Sequence, residues 1–88
     1  MKFLSFGIYD VTKTPEVAQA ADKVAKTPGH KVLASYTCQG LAFPGVPPNT
    51  LVTIEVVEYE SNEAMAAVQY PVALAGATVW AVPVLEWT

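Results

Sequence analysis

Residues 50–60 constrain the fold most, because they form the clearest strand pattern in the chain. β-branched side chains dominate the segment, and strands favour such side chains. Strict alternation places Val52, Ile54 and Val56 on one face. The other face carries Leu51, Thr53, Glu55, Val57 and Tyr59. The segment therefore predicts a strand on which both faces carry apolar residues.

Three further segments have strand patterns: residues 2–10, 31–38 and 78–86. In the first of them, Leu4, Phe6 and Ile8 share one face. Pro83 lies inside the last segment, and proline is tolerated mainly on edge strands. The last strand is therefore predicted to lie at an edge of the sheet.

Two segments between the strands predict helices. Residues 14–16 (Thr-Pro-Glu) supply a cap, a first helical residue and an early acid, and residues 27–29 (Thr-Pro-Gly) end the helix. Residues 61–63 (Ser-Asn-Glu) open the second helix in the same way. Pro71 predicts a kink or break in that helix, followed by a short helical piece over residues 72–75.

The element order predicts a single α+β domain over residues 1–88, with βαββαβ topology and strand order 4-1-3-2. The order, the Ser-Asn-Glu-Ala helix start at 61–64 and the closing Val-Pro-Val-Leu at 82–85 resemble the dimeric α+β-barrel (ferredoxin-like) superfamily, in particular its small uncharacterised one-domain families. The resemblance implies a four-stranded antiparallel sheet with two helices on one face. The superfamily includes cofactor-independent monooxygenases, lactone isomerases, haem enzymes and domains without known activity, so the fold does not choose a function.

Composition excludes several partners. The 88 residues carry five lysines, no arginine and a net charge of −3, whereas nucleic-acid sites are basic and rich in arginine. No apolar run approaches the roughly 18 residues of a membrane span, and residues 1–10 lack the pattern of a signal peptide. Cys38 is the only cysteine, so no intrachain disulfide can form. These observations predict a cytoplasmic protein that binds neither nucleic acid nor membrane.

A surplus of apolar residues predicts a homodimer. Hydrophobic residues make up 52% of the chain and charged residues 15%, more apolar surface than one helix layer can cover. The most apolar strand faces are those that carry Leu4 in the first strand and Val52 in the strand at 50–60. We therefore expect the helices to cover the sheet face that these two strand faces form. The opposite face would then pack against a second copy through Phe3, Tyr9, Leu51, Val57 and Tyr59. The loop at 40–48, with Leu41 and Phe43, is predicted to reach the other subunit, or else to cover a pocket.

Glu55 is the best candidate for a catalytic residue, since a carboxylate in the middle of a central strand is costly to bury without partners. It could act as a general base or anchor a ligand; the alternative is a solvated patch or a hydrogen-bonded pair across the dimer axis. Tyr9 and Tyr59 share its face and could orient an oxygenated ligand, although aromatic core is the favoured interpretation.

His30, the only histidine, could be an acid–base group or an axial haem ligand. The favoured interpretation is an exposed side chain at the end of a loop. Cys38 lacks a nearby base, because His30 lies about 26 Å away along the same strand. No cluster has metal-ligand spacing, so neither a metal nor a cofactor is expected.

The sequence leaves three hypotheses for function open. The first is a small-molecule-binding or regulatory dimer with no catalysis of its own. The second is a cofactor-independent monooxygenase or isomerase that acts on a small apolar or aromatic compound. The third is an assembly or stress protein that has no ligand.

Overall fold

The computed structural model describes residues 1–39 and 47–87, except for the side chain of Gln39. Its elements are β1 (Lys2–Asp10), α1 (Thr14–Val24), β2 (His30–Gln39), β3 (Thr50–Tyr59), α2 (Asn62–Leu74) and β4 (Thr78–Pro83). A 3₁₀ turn, Val11–Lys13, joins β1 to α1. Every predicted strand and helix forms, although β4 ends at Pro83 rather than at residue 86.

The four strands form one antiparallel sheet in the order β2-β3-β1-β4. This is the predicted order read from the other edge, with two helices in the connections, so the ferredoxin-like α+β fold class is confirmed. Pro83 ends an edge strand, where its missing N–H removes little from the ladder.

Helix α2 is a single element that runs through Pro71. The prediction of two helical pieces is therefore wrong. The backbone N–H of Ala75 donates to the carbonyl of Pro71 at 3.1 Å, so the hydrogen-bond ladder resumes immediately after the proline. At its other end, α2 has the predicted cap, since the Ala64 N–H donates to Ser61 Oγ at 3.1 Å.

The two helices cover the sheet face opposite to the one predicted. Val57 and Tyr59 are only 1% and 4% exposed, and Gln69 of α2 donates to Ser5 Oγ across the layer. The residues assigned to the dimer face, Phe3, Tyr9, Leu51, Val57 and Tyr59, therefore lie on the helix side, and that assignment is wrong. Ser5 accepts a hydrogen bond from Gln69 of α2, and Gly7 lines the space between the sheet and the helices.

Neither α1 nor α2, the α-helices formed by residues 1–39 and 47–87, lies over the opposite face, here called the outer sheet face. Its described members between the charged strand ends are Leu4, Phe6, Ile8, Ala34, Tyr36, Cys38, Val52, Ile54, Val56, Trp80 and Val82. Tyr36, Trp80 and Val82 are 65%, 39% and 43% exposed, whereas Val52 is buried. The loop residues Leu41 and Phe43, predicted as a second dimer contact, lie outside the described residues.

A candidate ligand cavity between the sheet and the helices

A partly open cavity of about 180 Å³ lies between the sheet and the two helices. Its walls are mainly apolar and are formed by Val17, Val24, Val68, Val72 and Val79. An engineered apolar cavity of roughly 150 Å³ in another protein is large enough to hold benzene. The cavity can therefore accept a small organic molecule with about the bulk of one aromatic ring.

Polar side chains line the cavity on its sheet and α2 sides: Ser5, Tyr9, His30, Thr53, Glu55, Tyr59 and Gln69. Ser5 and Glu55 are direct partners across β1 and β3. Gln69 Nε2 lies 3.4 Å from Ser5 Oγ and ties α2 to the centre of the sheet. A few polar groups inside apolar walls are typical of sites that orient a small ligand.

Tyr59 is held rigidly at one side of the cavity. Its ring meets Phe3 edge to face at 5.6 Å between centroids and stacks with the His30 ring at 6.3 Å. Burial raises the pKa of the Tyr59 hydroxyl, the carboxylate of Glu55 raises it further, and a hydrogen bond with Ser5 opposes the rise. The hydroxyl therefore keeps its proton at neutral pH and can donate a hydrogen bond.

His30 lines the cavity because β2 contains an irregularity between Val32 and Ala34. Before that point the even-numbered residues face the helices, and after it they belong to the outer sheet face. His30 Nδ1 lies 2.6 Å from the carbonyl oxygen of Thr27. A carbonyl only accepts, so Nδ1 donates to it, and Nε2 is the ring nitrogen left for another partner.

The structure brings together all four residues predicted for ligand binding, since Tyr9, His30, Glu55 and Tyr59 line the same cavity. The sequence predicted Tyr9, Glu55 and Tyr59 at a sheet–sheet interface, whereas they lie under the helices. The favoured view of His30 as an exposed loop-end side chain is wrong, because it is half-buried in the cavity wall. Whether the four residues bind a ligand stays a prediction.

Sequence reasoning missed Ser5 and Gln69. The register opposite Glu55 could have indicated Ser5, a small polar residue between two large apolar ones on a central strand. Gln69 lies beside Val68 on a helix of low amphipathicity, so no sequence signal pointed to it. Cys38 belongs to the outer sheet face and His30 to the helix side, which agrees with leaving that pair out of any catalytic scheme.

Residues 1–39 and 47–87 hold neither a cluster of metal ligands nor a membrane-spanning helix. Within these ranges, no group of three or more His, Cys, Asp or Glu side chains is arranged to hold a metal ion. No helix in the same ranges is long and apolar enough to cross a membrane.

The fold is similar to that of solved proteins at low sequence identity. A DUF3240 family protein from Shewanella baltica OS155 matches with a TM-score of 0.56 and 12% identity, over 99% of this chain and 93% of that one. A Deinococcus radiodurans protein that carries the name of an antibiotic biosynthesis monooxygenase matches with a TM-score of 0.55 and 11% identity, over 100% and 96% of the two chains. No family model and no curated protein matches the sequence. At such identities the likeness shows the fold alone, and it agrees with the resemblance to small ferredoxin-like domains.

Proposed function

We propose that this protein is a small-molecule-binding domain whose ligand occupies the cavity between the sheet and the helices. The observation that carries the proposal is the cavity itself: about 180 Å³, apolar walls, and a cluster of hydrogen-bonding groups at Ser5, Glu55 and Tyr59. An apolar pocket with a few convergent polar groups is the default binding site of a small domain.

Filling the cavity tests this function. A side chain added at Gly7 would enter the cavity, because a Cβ at this position would have Val79 Cγ1 as its nearest neighbour at 3.8 Å, an ordinary contact distance. Small aromatic probes such as toluene and benzyl alcohol should raise the melting temperature of the wild type. Gly7→Val should fold with similar stability and lose that rise. A rise of equal size in Gly7→Val would contradict binding in this cavity.

We further infer that two copies pair through the outer sheet face. That face has an apolar centre, and its charged members, Lys2, Asp10, Lys31 and Glu58, sit at or near the strand ends. An apolar centre with a charged rim is the usual anatomy of a protein interface. Sheets that pack face to face lie about 10 Å apart. Sedimentation that shows a stable monomer at micromolar concentration would overturn the dimer.

A catalytic role for the same cavity is the second candidate, favoured by a carboxylate beside a tyrosine hydroxyl that keeps its proton. Glu55 would act as a general base on a bound apolar or aromatic compound. Once a ligand is known, Glu55→Gln should abolish its turnover. The variant should still bind the ligand through the contacts that its uncharged part makes with the cavity. Retained turnover would exclude Glu55 as the base.

The third candidate, an assembly without a ligand, would be supported if the dimer forms and no probe enters the cavity.

A single cysteine, with no intrachain disulfide, suits a reducing compartment. We therefore propose a cytoplasmic location, which cell fractionation of a tagged protein can check.

A further inference from the structure

We propose that the ligand of the cavity is a small amine, with its apolar body between the sheet and the helices and its ammonium group paired with Glu55. The inference rests on the proposed binding function and adds the chemical class of the ligand. It follows from the charge, the acceptor groups and the volume of the site.

The charge of the lining selects a cation. Among the described residues that line the cavity, Glu55 is the only Asp, Glu, Lys or Arg side chain. The five lysines of the chain line no part of it. An anionic ligand would meet an uncompensated carboxylate inside apolar walls, which is unfavourable at low dielectric. A cation would instead supply the counter-ion that the described lining does not provide.

The polar groups around Glu55 also suit a donor-rich ligand. The hydrogen bond between His30 Nδ1 and the Thr27 carbonyl leaves Nε2 as the ring nitrogen open to another partner. An amide hydrogen of Gln69 is directed to Ser5 and is therefore not free for the ligand. Tyr9 and Tyr59 border the same space, and aromatic faces attract cations within about 6 Å. The Glu55 carboxylate only accepts hydrogen bonds, so a ligand with donors, such as an ammonium group, can satisfy it, whereas a ligand without donors cannot.

The volume limits the size of the amine. At about 180 Å³ the cavity is only slightly larger than one that holds a benzene molecule. A ligand of roughly eight non-hydrogen atoms, such as an aromatic ring with a one-carbon amine arm, matches that space. Larger cofactors and polycyclic compounds exceed it.

Four probes of matched shape and different charge test the proposal: benzylamine, benzyl alcohol, toluene and benzoate. Near neutral pH, calorimetric titration should show benzylamine binding at least about tenfold tighter than benzyl alcohol, since charge-assisted hydrogen bonds are the stronger ones. Benzoate should not bind measurably. Glu55→Gln should weaken benzylamine to the level of benzyl alcohol and leave benzyl alcohol almost unchanged.

Glu58→Gln is the matched control. It removes the same charge three residues further along β3, from an exposed side chain on the other face of the sheet. Benzylamine binding should survive it. If benzyl alcohol or toluene binds as tightly as benzylamine, or if both variants weaken the amine equally, the amine proposal fails while small-molecule binding stands. If no probe binds the wild type, the binding function fails as well.

Discussion

The rings of Phe6 and Trp80 stack at 5.1 Å between centroids, at an interplanar angle of 18°, on the outer sheet face. The pair joins a central strand to an edge strand and leaves Trp80 39% exposed. A half-exposed aromatic pair in the middle of an apolar face is a typical anchor for a partner.

Trp80→Lys should therefore weaken the proposed dimer. A lysine on this face would place a charge within the proposed apolar interface, where it would lose water without gaining a partner. Sedimentation should show a dimer for the wild type and a folded monomer for the variant. Leu74→Lys is the control, because Leu74 is 87% exposed on α2 and away from the outer sheet face. Equal dissociation by both substitutions would argue against pairing through the sheet.

The burial of Val57 predicts that shortening its side chain costs stability. Val57 is 1% exposed, so Val57→Ala should lower the free energy of unfolding by about 1.5–3 kcal/mol through lost burial and the cavity left behind. Val11→Ala, at a site 45% exposed, should change it by less than about 0.5 kcal/mol. Urea unfolding monitored by circular dichroism measures both. Similar small losses would contradict the burial of Val57.

Sequence periodicity predicts the elements and the strand order because alternation and caps are local properties of the chain. It also groups Tyr9, Glu55 and Tyr59 correctly, since residues of equal parity share a face. It does not tell which face the helices cover, because both faces of β1 and β3 are apolar. The covered face is shown by tertiary contacts, such as the hydrogen bond from Gln69 to Ser5, which a local sequence pattern does not contain.

The position of His30 shows a second limit of the same reasoning. Simple alternation along β2 would place His30 on the face of Tyr36. The irregularity between Val32 and Ala34 reverses the parity partway along the strand, so the two residues face opposite ways. Such a shift depends on pairing with β3, and the sequence of β2 carries no signal for it. His30 therefore lines the cavity because of how β2 pairs with β3, and the alternation pattern of β2 alone cannot predict this.

Gly29 is predicted to be intolerant of any side chain. Its φ is +85°, in the region that favours glycine, and a Cβ there would lie 3.0 Å from Ala64 Cβ. Gly29→Ala should lower the free energy of unfolding by about 1–2 kcal/mol or more. The loss has two sources, backbone strain and the contact with the first turn of α2.

Gly7→Ala is the matched control for Gly29→Ala. Gly7 lies in a strand, where an added Cβ would make only an ordinary contact. Alanine restricts the unfolded chain more than glycine does, so this variant should be as stable as the wild type or slightly more stable. Thermal unfolding of the two variants side by side measures the difference. If they are equally stable, the strained conformation of Gly29 is refuted.

The raised pKa of the Tyr59 hydroxyl predicts how the free energy of unfolding changes at alkaline pH. Burial and the Glu55 carboxylate raise the pKa of its hydroxyl above the ordinary value of about 10. Between those two pKa values the unfolded chain loses this proton while the folded chain keeps it, so the folded state binds more protons. The stabilisation from the neutral hydroxyl is complete below pH 10 and is lost as the pH rises through the folded-state pKa. Tyr59→Phe has no such proton and should lose less stability than the wild type over that range.

Urea unfolding from about pH 8 to about pH 11 measures this contribution as a difference between two proteins, which removes the shared effects of lysines and other tyrosines. Tyr70→Phe is the control, because Tyr70 is 69% exposed on α2. Its alkaline loss of stability should match that of the wild type. Glu55→Gln should make the loss attributed to Tyr59 smaller, because one cause of the raised pKa is then absent and the gap between the folded and unfolded pKa values narrows. Identical pH profiles for the wild type and Tyr59→Phe would show that the Tyr59 hydroxyl is not buried beside the Glu55 carboxylate.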